Sequence, residues 1–225
     1  MNSCARRRPV RIHYMGRHRN SQKRIYIPGA TYFITTVTHG RYPYFEEEIF
    51  RELFVDELLF CSELKSFSLY GYAVMPDHAH VLIRPMGGFT YSHIMHFIKR
   101  HCTRNANFIM GYARPGDYDE CAIHPRECAP EGAIRPLEGA IGQSRLRGDA
   151  RLNEFLMKIR NYREKFVARH GDRSPFPPFK WQKSYHDHII RDMDDLRAHV
   201  AYIARQCSHH GCVGSVWVDG MGDES

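Results

Sequence analysis

Two histidines flanking one small apolar residue, His78-Ala79-His80, stand at the head of the apolar run Val81-Leu82-Ile83. Side chains on a strand alternate between faces, so the two imidazoles project to one side and offer two nitrogens to a single cation. Ala79 then turns to the core, with Leu82 expected on its face or near it. Paired histidines also occur on solvated strand faces, so from this fragment a ligand role and a surface role are both open.

A second group lies in the C-terminal third. Leu196, Val200, Ile203 and Cys207 recur at helical spacing and make one apolar stripe. Tyr202 and Gln206 lie off that stripe, one turn apart on one face, with Asp195 and His199 on the flank of the seam. A phenol and an amide oxygen thus address one external point. An ordinary amphipathic helix would carry the same residues on its surface.

Taken together, the His-apolar-His strand and the later helix bearing Tyr202 and Gln206 resemble the single-tyrosine HUH transposases, and within them the REP-associated tyrosine transposases. The likeness extends over 26–44, 70–85, the helix from Thr90, and 181–213. It implies that His78, His80 and Gln206 bind a divalent cation, Mg²⁺ or Mn²⁺, and that Tyr202 attacks single-stranded DNA, with a hairpin-forming target. It further implies a monomer or a homodimer, and DNA handling by a lysine after the histidine strand, a part that falls to Lys99 or Arg100. Relatives of the REP-associated type read Tyr-Ile-x-x-Asn-Pro where this chain has Tyr202-Ile203-Ala204-Arg205-Gln206-Cys207. Gln keeps the amide oxygen and matches the insertion-sequence branch, whereas loss of the Pro lets the helix run past Gln206.

These residue types suit the chemistry. Breaking and resealing a phosphodiester without external energy requires a covalent intermediate, which a tyrosine oxygen supplies by attacking phosphorus. A phenol is protonated near neutral pH, with an ordinary pKa of about 10, so it needs a base or electrostatic help. Asp195 and His199 lie on the helix flank where they would act from behind the ligands. Two imidazoles, one amide oxygen and DNA oxygens make a mixed, open site that suits Mg²⁺ or Mn²⁺, whereas a structural zinc site is closed by four His or Cys ligands.

His186-Asp187-His188 is a rival pair, weakened as a strand-borne site because Asp187 would have to face inward. The resembled family reads similarly here, so His188, Arg191 and Asp192 are expected to serve structure or DNA contact, Asp192 as a helix N-cap. Trp181 and Tyr185 are candidates to stack on unpaired bases, Trp181 equally a core residue.

The 225 residues suffice for one domain with a proper core plus appendages, and the hydrophobic fraction of 43% is that of a globular chain. No apolar run reaches the length that spans a bilayer and the N-terminus has no apolar signal core, so no membrane partner and a cytoplasmic, nucleoid-associated location are expected. The seven cysteines include no Cys-x-x-Cys pair, which argues against a disulfide framework and a zinc ribbon. Formal net charge is +7, favouring an anionic partner. Eight cations, from Arg6 to Arg24, precede the first strand with no acidic residue among them, so the remainder carries −1 and the basic character belongs to the tail. Residues 1–24 thus form a basic arm, either lying along phosphates or serving as a solubilising extension.

From 25 to 225 the pattern describes a single domain. Thr31–Val37 reads as a strand, Glu46–Lys65 as a helix, Ser66–Met75 and His78–Pro85 as strands around a tight Pro-Asp turn, Tyr91–Asn107 as a helix, and Trp181–His188 as a fourth strand. The order β-α-β-β-α-β plus a helix is an α+β, ferredoxin-like split βαβ sandwich, an antiparallel sheet with two helices and an added C-terminal helix carrying the tyrosine. At about 111–150 Pro and Gly alternate and the segment reads as an irregular insertion, with helix resuming at about Leu152 to His170.

The expected protein is a metal-dependent DNA strand transferase acting through Tyr202. Three alternatives stay open: a domesticated DNA-binding protein that no longer cleaves, a replication-initiator-type nickase sharing the His-apolar-His chemistry, and a small-molecule hydrolase that uses the His pair and a water.

Overall fold

The computed structural model describes the backbone of residues 25–112, 141–210 and 213–216, and the side chains of 25–112 and 150–206. The basic arm, residues 113–140 of the expected insertion and the Cys207 side chain lie outside the described residues. The elements are β1 (Tyr32–Val37), α1 (Glu48–Leu64), β2 (Phe67–Val74), β3 (His78–Pro85), α2 (Tyr91–Ile109), α3 (Ile141–His170), β4 (His186–Ile189), α4 (Met193–His210) and β5 (Val213–Val216).

Five strands pair in the order β4-β1-β3-β2-β5, every pair antiparallel. The first four strands have the split βαβ order, so the ferredoxin-like α+β architecture read from the sequence is the architecture of the chain. The histidine strand β3 sits at the centre, paired with β1 on one side and β2 on the other.

Alternation along the strands divides the molecule into two layers. Tyr32 and Ile34 of β1 and Ala79, Val81 and Ile83 of β3 face α1, α2 and α3 in the main core, which buries Phe50, Leu53, Phe54 and Leu58 of α1 and Ile94, Ile98 and Ala106 of α2. Each fully buried Leu, Ile or Phe contributes about 1.5–3 kcal/mol through removal from water, so this layer holds most of the stability. The opposite face carries a thinner cover, in which Ile203 of α4 packs on Ala73 and Leu82 with Phe33, Leu196 and Val200 around them. Helix α1 begins where the Glu47 side chain accepts from the Ile49 N–H, and α2 where Thr90 Oγ1 accepts from the His93 N–H at 3.2 Å.

Four details differ from the sequence reading. Leu82 shares the face of the histidines, not that of Ala79, because residues 78, 80 and 82 have the same strand parity. The fourth strand is only His186–Ile189; Trp181 makes an isolated bridge to Thr38, and the carbonyls of Gln182 and Ser184 are bound by Lys99 Nζ at 2.6 and 3.5 Å. Helix α3 begins at Ile141, so the last part of the segment read as irregular is helical; Gly142 and Gly148 hid its periodicity. Edge strand β5 was not foreseen, since four residues containing a glycine are too short to show alternation.

Candidate active site

The site forms where the thin-cover face of β3 meets α4. His80 is 5% exposed, and its ring stacks on Phe33 at 5.3 Å. Its Nδ1 is hydrogen-bonded to Thr35 Oγ1 at 2.8 Å, across the β1–β3 pair in which Thr35 and His80 are directly opposed. That leaves Nε2 pointing outward, where the Tyr202 hydroxyl lies 3.4 Å away. Burial, with help from the neighbouring His78, pulls the His80 pKa down to about 4, so its imidazole is neutral and free to ligate at physiological pH.

His78 stands beside it, half-buried, with ring centroids 4.9 Å apart. Its Nδ1 is 2.6 Å from Asp77 Oδ1, and the other oxygen of Asp77 accepts from Arg41 at 2.9 Å. Burial pushes the Asp77 carboxyl upward, but the bonds from His78 and Arg41 outweigh it and hold it below the ordinary carboxylate range. Both histidines therefore spend Nδ1 on a partner of their own, as metal-binding imidazoles do, so that Nε2 of each could serve a cation. Gln206 follows Tyr202 by one helical turn and is half-buried. These donors fit the cation implied by the sequence: two imidazoles and an amide oxygen leave positions open for phosphate oxygens.

A second group borders the first. Asp195 Oδ2 accepts from His188 Nε2 at 2.9 Å, from the Arg191 N–H at 3.1 Å and from Arg191 Nε at 3.2 Å. The His188 hydrogen bond is the main cause that holds the Asp195 carboxyl far below its ordinary range. His199 Nδ1 lies 3.2 Å from Asp195 Oδ1 and 2.8 Å from the Asp195 carbonyl oxygen. His199 stacks on His188 at 4.8 Å and touches Phe33 at 4.6 Å, and Phe33 meets Tyr202 edge-on at 5.9 Å. Asp195 and His199 thus reach Tyr202 through the Phe33 ring rather than by a hydrogen bond to the phenol. His188, Asp195 and His199 also bring three metal-capable atoms within 4.8 Å of one another, but the Arg191 guanidinium shares the carboxylate with them.

The rival pair is resolved by register. His186 and His188 oppose Thr35 and Phe33, so all four histidines face the same side of the sheet. Asp187 does face inward, where it accepts from the Tyr91 hydroxyl at 3.0 Å. His188 belongs to the Asp195 cluster and makes no pair with His186. Asp192 Oδ1 accepts from the Asp195 N–H at 2.8 Å, which is the N-cap expected of it.

On the helix side of the sheet, α2 and residues 180–185 enclose a groove of about 940 Å³. Arg100, His96, Lys180 and Lys183 are exposed along it, and His39, two residues past β1, also lines it. Three residues considered for DNA contact lie here. Lys99 donates to the Gln182 and Ser184 carbonyls and ties the segment to α2. Tyr185 is 6% exposed, with its hydroxyl on Ser92 Oγ at 3.1 Å, so it is a wall of the core and offers no open face to a base. Trp181 is half-buried against Phe45, Phe54 and Phe179. Sequence reasoning missed Thr35, Phe33, Asp77 and Arg41; Asp77 was visible beside His78 but read only as a turn residue, and the others reach the site through strand register.

Residues 27–110, from before β1 to the end of α2, match the sequence model of the family described as "Transposase IS200 like". The resemblance read from the sequence therefore holds over the stretch that carries both histidines. The chain is also similar to a solved REP-associated tyrosine transposase bound to a REP hairpin, with 16% identity over 84% of this chain and 73% of that one and a TM-score of 0.40. No curated protein matches the chain. Among the described residues, no helix is long and apolar enough to cross a membrane.

Proposed function

We propose that the protein is a transposase-type DNA strand transferase that nicks and rejoins single-stranded DNA through Tyr202, with a divalent cation held by His78, His80 and Gln206. The observation that carries this reading is the approach of the Tyr202 hydroxyl to His80 Nε2, at 3.4 Å, beside a second histidine whose Nδ1 is likewise occupied. A tyrosine, the Nε2 atoms of two histidines and an amide one turn on are the minimal set for the reaction. The IS200-like match over the histidine strand supports the class of activity.

In this reading Tyr202 Oη forms a bond to phosphorus as the bond to the leaving DNA oxygen breaks; the phenolic proton is lost and the leaving oxygen gains one. The strand is left with a phosphotyrosine at one end and a hydroxyl at the other, and attack by a hydroxyl reverses the step. Bound Mg²⁺ or Mn²⁺ would polarise a non-bridging phosphate oxygen. The chain's own residues orient the reactants: Thr35 fixes the His80 ring, Phe33 backs both His80 and Tyr202, and Asp195 holds His199, which rests on Phe33, and His188, which stacks on His199. The tyrosine reaches a histidine of its own chain, which supports a site built within one monomer.

Exposed Arg100, Lys180 and Lys183 along the groove are suited to phosphates flanking the cleaved strand. A hairpin-forming target is the part of this proposal that rests on the family resemblance alone. The direct test is a denaturing gel of the protein with labelled single-stranded oligonucleotides copied from the DNA flanking its gene, with Mn²⁺: a protein–DNA adduct that disappears in Tyr202→Phe and in His78→Ala is the expected result.

A further inference from the structure

The turn that precedes β3 is built around a carboxylate. The carbonyl of Asp77 accepts two bonds from one residue, the Thr38 N–H at 2.9 Å and Thr38 Oγ1 at 2.8 Å, which pins the turn to the end of β1. The two side-chain oxygens are divided: Oδ2 takes the Arg41 guanidinium at 2.9 Å and Oδ1 takes His78 Nδ1 at 2.6 Å. Arg41 reaches that position from a backbone with φ of +55°, a left-handed conformation non-glycine residues rarely adopt, directly after Gly40 at φ +64°. A salt bridge whose arginine is 67% exposed gains little stability, so the strained turn is poorly explained as a stabilising device.

From this geometry we infer that Asp77 is a positioning residue for the cation site: it fixes His78 as the Nδ1–H tautomer and aims its Nε2 lone pair at the cation, while Arg41 keeps the carboxylate in place. The inference rests on the proposed role of His78 and His80 as metal ligands. Asp77 is not itself a ligand, because the two nitrogens of an imidazole point away from each other and a group bound at Nδ1 lies behind the ring. It also makes the two histidines unequal. His80 is oriented by the neutral Thr35 hydroxyl and His78 by an anion, and a carboxylate partner makes the ligating nitrogen the better donor. His78 is therefore the stronger of the two ligands, although it is the more exposed.

Two measurements on the full chain test this. Mn²⁺ titration followed by electron paramagnetic resonance is run on the unmutated protein, His78→Ala, Asp77→Ala and Asp77→Asn, and long-range ¹⁵N–¹H correlation of the metal-free proteins at pH 8 reads the His78 tautomer. Asp77→Ala is expected to weaken Mn²⁺ binding about 10–100-fold and to release His78 from the pure Nδ1–H form. Asp77→Asn keeps an oxygen acceptor, preserves the turn if the alanine variant fails to fold, and is expected to fall between the two. Unchanged Mn²⁺ affinity and tautomer in Asp77→Asn and Asp77→Ala, with affinity lost in His78→Ala, would overturn the positioning role and leave the metal site standing. Mn²⁺ binding that His78→Ala does not alter would overturn the metal site, and the inference with it.

Discussion

At the scale of single residues, the site depends on which ring nitrogens are already spoken for. Thr35 and Asp77 occupy both Nδ1 atoms, and burial with the nearby His78 keeps His80 neutral down to about pH 4. A neutral imidazole with its second nitrogen engaged is what a divalent cation needs. Gln206 is placed beside Tyr202 by helical spacing, one turn on, so its role calls for its own test. Gln206→Ala is expected to weaken Mn²⁺ binding roughly 10-fold in calorimetry while leaving the melting temperature within a degree or two, and Gln206→Asn to recover part of the loss, since it keeps the amide oxygen. The histidine pair and the Tyr202–Gln206 spacing were legible because periods of two and of four residues are local properties of the chain. Thr35 and Phe33 were not, because each reaches the site only through the pairing of β1 with β3, where Thr35 opposes His80 and Phe33 opposes Leu82.

At the scale of elements, α1 and α2 meet around a buried acid. Glu57 is fully buried, accepts from Asn105, and burial pushes its pKa up to about 8 despite that hydrogen bond. The folded chain therefore holds this proton up to about pH 8, whereas an unfolded chain releases it near the ordinary 4.5, so the folded state binds more protons between those limits. Stability from this group is complete below about pH 4.5 and is lost as pH rises to about 8. Glu57→Gln retains the acceptor for Asn105 without the ionisation, and its melting temperature is expected to exceed that of the unmutated protein at pH 8 and to approach it at pH 5. A second contrast separates neighbours on α2. Lys99→Ala removes the donor to the Gln182 and Ser184 carbonyls and is expected to cost about 1–3 kcal/mol in urea unfolding. Arg100→Ala, on the exposed lip of the groove, is expected to leave unfolding within about 0.5 kcal/mol and to weaken oligonucleotide binding. Sequence alone ranked these two residues together, since a basic helix face does not reveal which cation meets a backbone carbonyl. The long elements of the first half were legible to within two residues because their apolar periods are strong; β4, β5 and the start of α3 were not, because short or glycine-containing segments take their shape from tertiary partners.

At the scale of the molecule, one face of the sheet builds the stable core and the other builds the site, and among the described residues the thin layer of α4 covers the second. This division brings Tyr202 to His80 of its own chain on the face away from the main core. Charge is divided as well: eight cations stand in residues 1–24 and the rest of the chain is close to neutral. Single-strand binding loses affinity with salt at a slope of about −0.7 per phosphate contacted, so if the arm lies on phosphates its removal reduces the slope of log K against log salt by up to about 6. An unchanged slope assigns the arm a role apart from DNA. The central claim is that Tyr202 becomes covalently joined to a DNA strand beside a cation held by His78 and His80. Its most direct measurement is peptide mass spectrometry of the adduct formed with single-stranded flanking DNA and Mn²⁺. A nucleotide attached to the peptide containing Tyr202, absent without the metal and from His80→Ala, is the expected result; an adduct on another residue, or strand cleavage that survives Tyr202→Phe, would contradict a Tyr202 nucleophile.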